Sequence, residues 1–77
     1  MEYKITLNNV NDAAFFAGKC AKYKYDIDYI CGRYTVDAKS FMGILSVGLG
    51  REDCFVRINT DEESVLKEFV KDMSLWM

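Results

Sequence analysis

Gly32-Arg33-Tyr34-Thr35-Val36-Asp37-Ala38-Lys39-Ser40-Phe41-Met42-Gly43-Ile44-Leu45-Ser46-Val47-Gly48-Leu49 is the passage in which the apolar spacing changes from every second residue to every third. Tyr34 and Val36 flank Thr35 as in a half-buried strand. Ser40 is well suited to cap a helix, and Ile44 and Val47 fall on one face of the short helix that Gly48 and Gly50 then end. A strand followed at once by a helix with a single apolar stripe predicts a helix laid over a sheet.

Upstream, Asp26 and Asp28 alternate with Ile27 and Tyr29, which predicts another strand, and Cys31-Gly32 reads as the tight turn joining it to Tyr34–Val36 in a hairpin. Asp26 and Asp28 themselves read as its solvated face. Further back, Tyr3, Ile5 and Leu7 alternate with polar residues and predict a first strand. Between the two, Asn11 is suited to cap a helix with Ala13, Phe16, Ala17, Cys20 and Ala21 inward, ending near Tyr23. Downstream, Cys54, Val56 and Ile58 predict a fourth strand. Thr60 with Glu63 reads as a capping box opening a last helix, whose inner face is Val65, Leu66, Phe69, Val70 and Met73. The order is βαββαβα, an α+β open-faced β-sandwich with a four-stranded antiparallel sheet and three helices on one face.

The chain has 77 residues, room for one core, so residues 1–77 are expected to form a single domain. Ten basic residues against twelve acidic ones, with lysines scattered, supply no basic run for a nucleic-acid backbone. No apolar run approaches the length of a membrane span, and the first residues do not form a signal-peptide core, so a cytoplasmic, soluble protein is expected. Cys20, Cys31 and Cys54 are odd in number, show no Cys-x-x-Cys spacing and have no histidine to complete a zinc set. They read as free buried thiols, with no metal and no cofactor implied.

The opening passage resembles the third strand and second helix of HPr, the phosphocarrier of the sugar phosphotransferase system, where Lys-Ser-Ile-Met-Gly and a closing Leu-Gly-Leu are familiar; here the counterparts are Lys39–Gly43 and Val47–Leu49. Ala13-Ala14 followed by Phe16 is similar to the start of the family's first helix, Tyr23 matches its closing aromatic, and the element order agrees along nearly the whole chain. The hairpin departs from the pattern by one residue lost before Gly32 and one gained after it.

The resemblance implies a phosphoryl-accepting histidine at the mouth of the first helix, where an imidazole nitrogen takes and releases phosphate while the helix terminus stabilises the anion. Counting back from Ala13-Ala14 puts Asn9 there, Asn11 in place of the family's arginine and Asp12 in place of its proline, and the chain contains no histidine. An amide is not a useful nucleophile and a carboxylate repels an incoming phosphoryl group, so no catalytic residue is expected; loop and capping chemistry accounts for all three. Ser40 matches the serine that a regulatory kinase phosphorylates in many HPr proteins, and a phosphate there would place about -1.5 to -2 charges at a helix N-terminus. Phe15, Phe41, Met42 and Leu45 lie on the two helices that dock partners in the family, and a short helix cannot bury all of its apolar residues.

The expectation is a regulatory, protein-binding module without enzymatic activity. Its partner would be a kinase, a phosphotransferase-system enzyme or a transcription regulator, and it would be a monomer or weak dimer binding neither nucleic acid nor membrane. A phosphocarrier using another residue, or a small-ligand-binding domain, is the alternative.

Overall fold

A computed structural model describes Met1–Met77 throughout. Four strands, β1 (Glu2–Lys4), β2 (Ile27–Cys31), β3 (Tyr34–Asp37) and β4 (Cys54–Ile58), and three helices, α1 (Val10–Ala21), α2 (Phe41–Val47) and α3 (Glu63–Met73), follow in the order β1-α1-β2-β3-α2-β4-α3, with a 3-10 turn at Ser74–Trp76. The sheet order is β1-β4-β2-β3, every neighbouring pair antiparallel. This is the four-stranded open sandwich expected from the apolar spacing.

Register explains how one face is buried. Tyr3, Val56, Tyr29 and Val36 stand in one row across all four strands, and the buried Cys54 and Cys31 stand in the next row on that face, ending at the exposed Tyr34. Side chains alternate across the sheet, so Lys4, Phe55, Ile30 and Thr35, and Glu2, Arg57, Asp28 and Asp37, form rows on the open face. Asp28 is more than a solvated carboxylate: it accepts from Arg57 Nη2 at 2.8 Å across the strand pair.

The helices close the other face with aromatic rings. Phe16 of α1 packs on Tyr29 with centroids 5.5 Å apart, and Trp76 meets Phe16 edge-on at 5.6 Å. Phe69 of α3 packs against Tyr3 at 6.0 Å and edge-on against Tyr23 at 5.4 Å. Ala13, Phe16, Ala17 and Cys20 of α1 are buried at the spacing expected of them, whereas Ala21 is exposed. On α3 only Phe69 and Met73 are fully buried; Val65, Leu66 and Val70 are half-buried at its rim.

Four expectations are corrected. Helix α1 is capped by Asn9 rather than Asn11, because Asn9 keeps extended backbone (φ -149°, ψ 174°) while Asn11 is already helical. The hairpin turn is Gly32-Arg33, not Cys31-Gly32: β2 runs on through Cys31, and the positive φ of 59° falls on Gly32, where a residue without Cβ is unstrained. Thr60 forms no capping box, since α3 starts only at Glu63 and the Thr60 hydroxyl accepts the Glu62 N–H at 3.2 Å in the preceding turn.

The largest correction concerns the thiols. Cys31 and Cys54 are joined in a disulfide, leaving Cys20 as the free, buried cysteine. The two are direct cross-strand partners of β2 and β4, with Cα atoms 4.2 Å apart. The Gly32 N–H to Asp53 carbonyl bond (3.3 Å) flanks them, which identifies theirs as a non-hydrogen-bonded pair, the one that brings facing side chains closest.

Candidate functional site

Two helix starts carry the residues singled out by the sequence. At the first, the chain leaves β1 through Ile5 and Leu7, both buried, and bends at Asn9. Asn9 Oδ1 accepts the Asp12 N–H at 2.8 Å, and Asp12 Oδ2 accepts the Asn8 N–H at 3.0 Å, so the two side chains close on each other around the first turn. The Asn9 carbonyl takes the Ala13 N–H at 3.1 Å.

Asn9 therefore sits at the opening between β1 and α1, exposed, with its carbonyl oxygen committed to the helix. Asp12 puts a carboxylate where a helix terminus otherwise favours an anion, and its own N–H is already bonded. Asn11 projects from the exposed side of the helix. These three residues form a capped helix start with no imidazole, and the one carboxylate among them, Asp12, accepts the Asn8 N–H.

The thiols elsewhere are muted. Burial pushes the Cys20 thiol up to about 12, so it stays protonated at neutral pH. Cys31 and Cys54 are tied to each other. No group of three or more Cys, Asp and Glu side chains is placed to hold a metal ion, and no pocket opens in the surface.

At the second start, Ser40 adopts extended backbone (φ -98°, ψ 105°) and its Oγ accepts the Gly43 N–H at 3.1 Å, as its capping role requires. The turn leading to it is held by the Ser40 N–H to Asp37 carbonyl bond (3.0 Å), the Lys39 N–H to Asp37 Oδ1 bond (2.9 Å) and Lys39 Nζ donating to the Tyr23 carbonyl at 2.6 Å. Gly43 is matched to the cap: a Cβ there would stand 3.1 Å from Ser40 Oγ. Ser40 is half-buried, not sealed in the core.

Helix α2 has seven residues and buries only Ile44 completely. Met42 is 73% exposed and Phe15, on neighbouring α1, 68% exposed, whereas Phe41 and Leu45 are half-buried against the core. Val47 is likewise half-buried, so the inward stripe of α2 is narrower than its spacing suggests. Of the four apolar residues expected on the surface, Phe15 and Met42 stand fully outside, and Phe41 and Leu45 present an edge.

Beyond α2 lies an arrangement that sequence reading did not single out. Arg51 donates to both oxygens of Asp53, from Nε at 2.9 Å and Nη2 at 2.6 Å, and to the Val47 carbonyl at 3.3 Å, and it lies over the Tyr34 ring with its guanidinium carbon 5.8 Å from the centroid. The guanidinium holds the Asp53 carboxyl below the usual carboxylate range. Arg51 and Asp53 are close in sequence, but nothing there shows that they adjoin α2, Tyr34 and the disulfide together.

A family model described as "PTS HPr component phosphorylation site" matches residues 8–73. Among solved structures, HPr-C-His from Thermoanaerobacter tengcongensis superposes with a TM-score of 0.72 at 25% identity, covering 96% of this chain and 89% of that one. The phosphocarrier protein HPr from Bacillus anthracis (TM-score 0.66, 23% identity, 95% of each chain) and a histidine-containing phosphocarrier protein of Mycoplasma (0.70, 13%, 100% and 99%) share the fold. A comparison with curated protein sequences finds no match.

Proposed function

The chain belongs to the HPr family of the phosphotransferase system, whose members are phosphocarriers rather than catalytic enzymes, and from that membership we propose that it is a regulatory, protein-binding HPr that does not carry phosphate on histidine. One observation carries the reading: the chain has no histidine, and the side chain at the mouth of α1 is Asn9, occupied in capping the helix against Asp12. An amide nitrogen has no lone pair free for phosphoryl attack. The protein acts as one domain, residues 1–77, in the cytoplasm, and is not an enzyme.

Ser40 is its switch. A phosphate on Ser40 Oγ would lie against the free N–H groups of α2 and add charge beside Met42 and Phe41, changing the surface without unfolding the helix. The partner is a protein, whether a kinase, a phosphotransferase-system enzyme or a transcription regulator, and it docks on Phe15, Phe41, Met42 and Leu45, where exposed aromatic and methionine side chains suit an interface. The protein works as a monomer or weak dimer and contacts neither nucleic acid nor membrane; no helix is long and apolar enough to cross one.

Incubation with phosphoenolpyruvate and the general phosphotransferase enzyme should leave the protein unlabelled. Acid-labile phosphate on it would overturn the reading in favour of a carrier using another residue. The serine kinase with ATP should add one phosphate that Ser40→Ala abolishes; no label, or label that persists in that variant, removes the switch.

A further inference from the structure

The disulfide occupies a telling place in the fold. Cys31 is the last residue of β2 and Cys54 the first of β4, so the bond closes the terminal pair of the central ladder. That end of the sheet is also where β1 passes towards α1: the Ile5 N–H bonds the Cys54 carbonyl at 3.2 Å, and the Gly50 N–H bonds the Leu7 carbonyl at 2.7 Å. The segment between α2 and Cys54, residues 48–53, is thus laid across the start of the path to Asn9.

A chain of contacts runs from the bond to α2. Cys54 adjoins Asp53, Asp53 holds Arg51, and Arg51 holds the carbonyl of Val47, the last residue of α2. On the other strand, Cys31 adjoins Gly32, whose N–H bonds the Asp53 carbonyl. The ion pair in this chain is solvent-exposed on both sides (30% and 50%), and such pairs add little order by themselves. The covalent bond is what holds the segment down.

Both sulfur-bearing residues are fully buried, so a reductant reaches them only when the ladder opens. Their position at its end makes the required opening small. The turn at Gly32-Arg33 and the residues Glu52 and Asp53 on either side are exposed, and fraying of the Gly32 N–H to Asp53 carbonyl bond beyond the pair gives access to the sulfurs while Tyr29–Val56 stays closed.

We propose that Cys31–Cys54 is a reversible redox staple whose state sets the order of residues 48–53 and, through Arg51, the hold on the C-terminal end of α2. The bond opens by thiol–disulfide exchange with a dithiol and closes by the reverse reaction with that dithiol's cyclic disulfide. One thiolate of the dithiol attacks a sulfur of the pair to form a mixed disulfide and release a protein thiolate, its second thiolate then displaces the other cysteine, and the products are an oxidised cyclic disulfide and two protein thiols, two electrons and two protons having passed to the protein.

The test is made on the whole oxidised protein in native buffer with dithiothreitol as the dithiol, followed by alkylation with iodoacetamide, mass spectrometry, and amide hydrogen exchange by NMR. Two alkyl groups are expected, on Cys31 and Cys54, with Cys20 unmodified and the far-ultraviolet circular dichroism unchanged. The Gly32, Gly48 and Gly50 amides should then exchange at least tenfold faster, and through a local opening that keeps them faster than the α3 amides of Phe69 and Met73, which open only with the whole fold. The variant Cys31→Ala/Cys54→Ala should show the same pattern without reductant, and oxidised dithiothreitol should restore protection to the wild type alone. Reduction that requires denaturant, loss of the whole fold on reduction, or exchange at residues 48–50 with the same opening free energy as α3 would each overturn the proposal.

Discussion

Ser40 and Asn9 perform the same local task at two helix starts, each side-chain oxygen accepting an N–H three residues on. Only Ser40 also offers a hydroxyl that can be modified, which is why the capping role and the switch role coincide there. Ser40→Ala leaves the Gly43 N–H without its partner and should cost about 1 kcal/mol, read as a lower urea midpoint at unchanged slope, while Ser40→Asp keeps an acceptor and should recover most of the loss. This role was legible in the sequence because a cap depends on neighbours within one turn. Asn9 and Asn11 have equal intrinsic aptitude to cap α1, and the departure of the chain from β1 chooses Asn9.

At the scale of elements, α2 is the least secured helix. Its one fully buried side chain is Ile44, and its end is held by Arg51 at the Val47 carbonyl. Ile44→Ala should cost on the order of 2–5 kcal/mol in urea unfolding and should deprotect the α2 amides in hydrogen exchange more than those of α1. Helices α1 and α3 are joined by a polar clasp instead. The Tyr23 hydroxyl donates to Asp72 Oδ2 at 2.6 Å, and Lys19 and Lys22 approach the same carboxylate at 3.6 and 3.5 Å. The hydrogen bond from Tyr23, aided by the two lysines, lowers the Asp72 pKa. A carboxyl lowered on folding contributes stability above its unfolded value of about 3.9 and loses it as pH falls through the folded one. Burial, reinforced by the bond to Asp72, raises the Tyr23 pKa, so its contribution is complete below about 10 and fades as pH rises beyond. Asp72→Asn should accordingly flatten the acid limb of a stability-against-pH curve measured by urea unfolding between pH 2 and 5. An unchanged limb would show that the clasp does not couple folding to protons.

For the molecule as a whole, the disulfide constrains the unfolded chain by closing a loop of 23 residues in sequence separation. A loop of that size corresponds to about 3 kcal/mol on chain-entropy grounds. The Cys31→Ala/Cys54→Ala variant should therefore melt roughly 15 °C lower by calorimetry than the oxidised protein, and a shift of a degree or two would mean that the native state gains nothing from the bond. Apolar spacing determined the element order, the buried faces of the strands and the layer arrangement, since alternation along a strand and a stripe along a helix are consequences of chain geometry within a few residues. The composition also established that no histidine is available to carry phosphate. Three things were decided only in three dimensions: the partnering of Cys31 with Cys54, the seating of Trp76 against Phe16, and the path from Arg51 to the end of α2. Each joins residues through strand register or through packing of segments distant in the chain, and local sequence does not encode which distant residue will lie opposite.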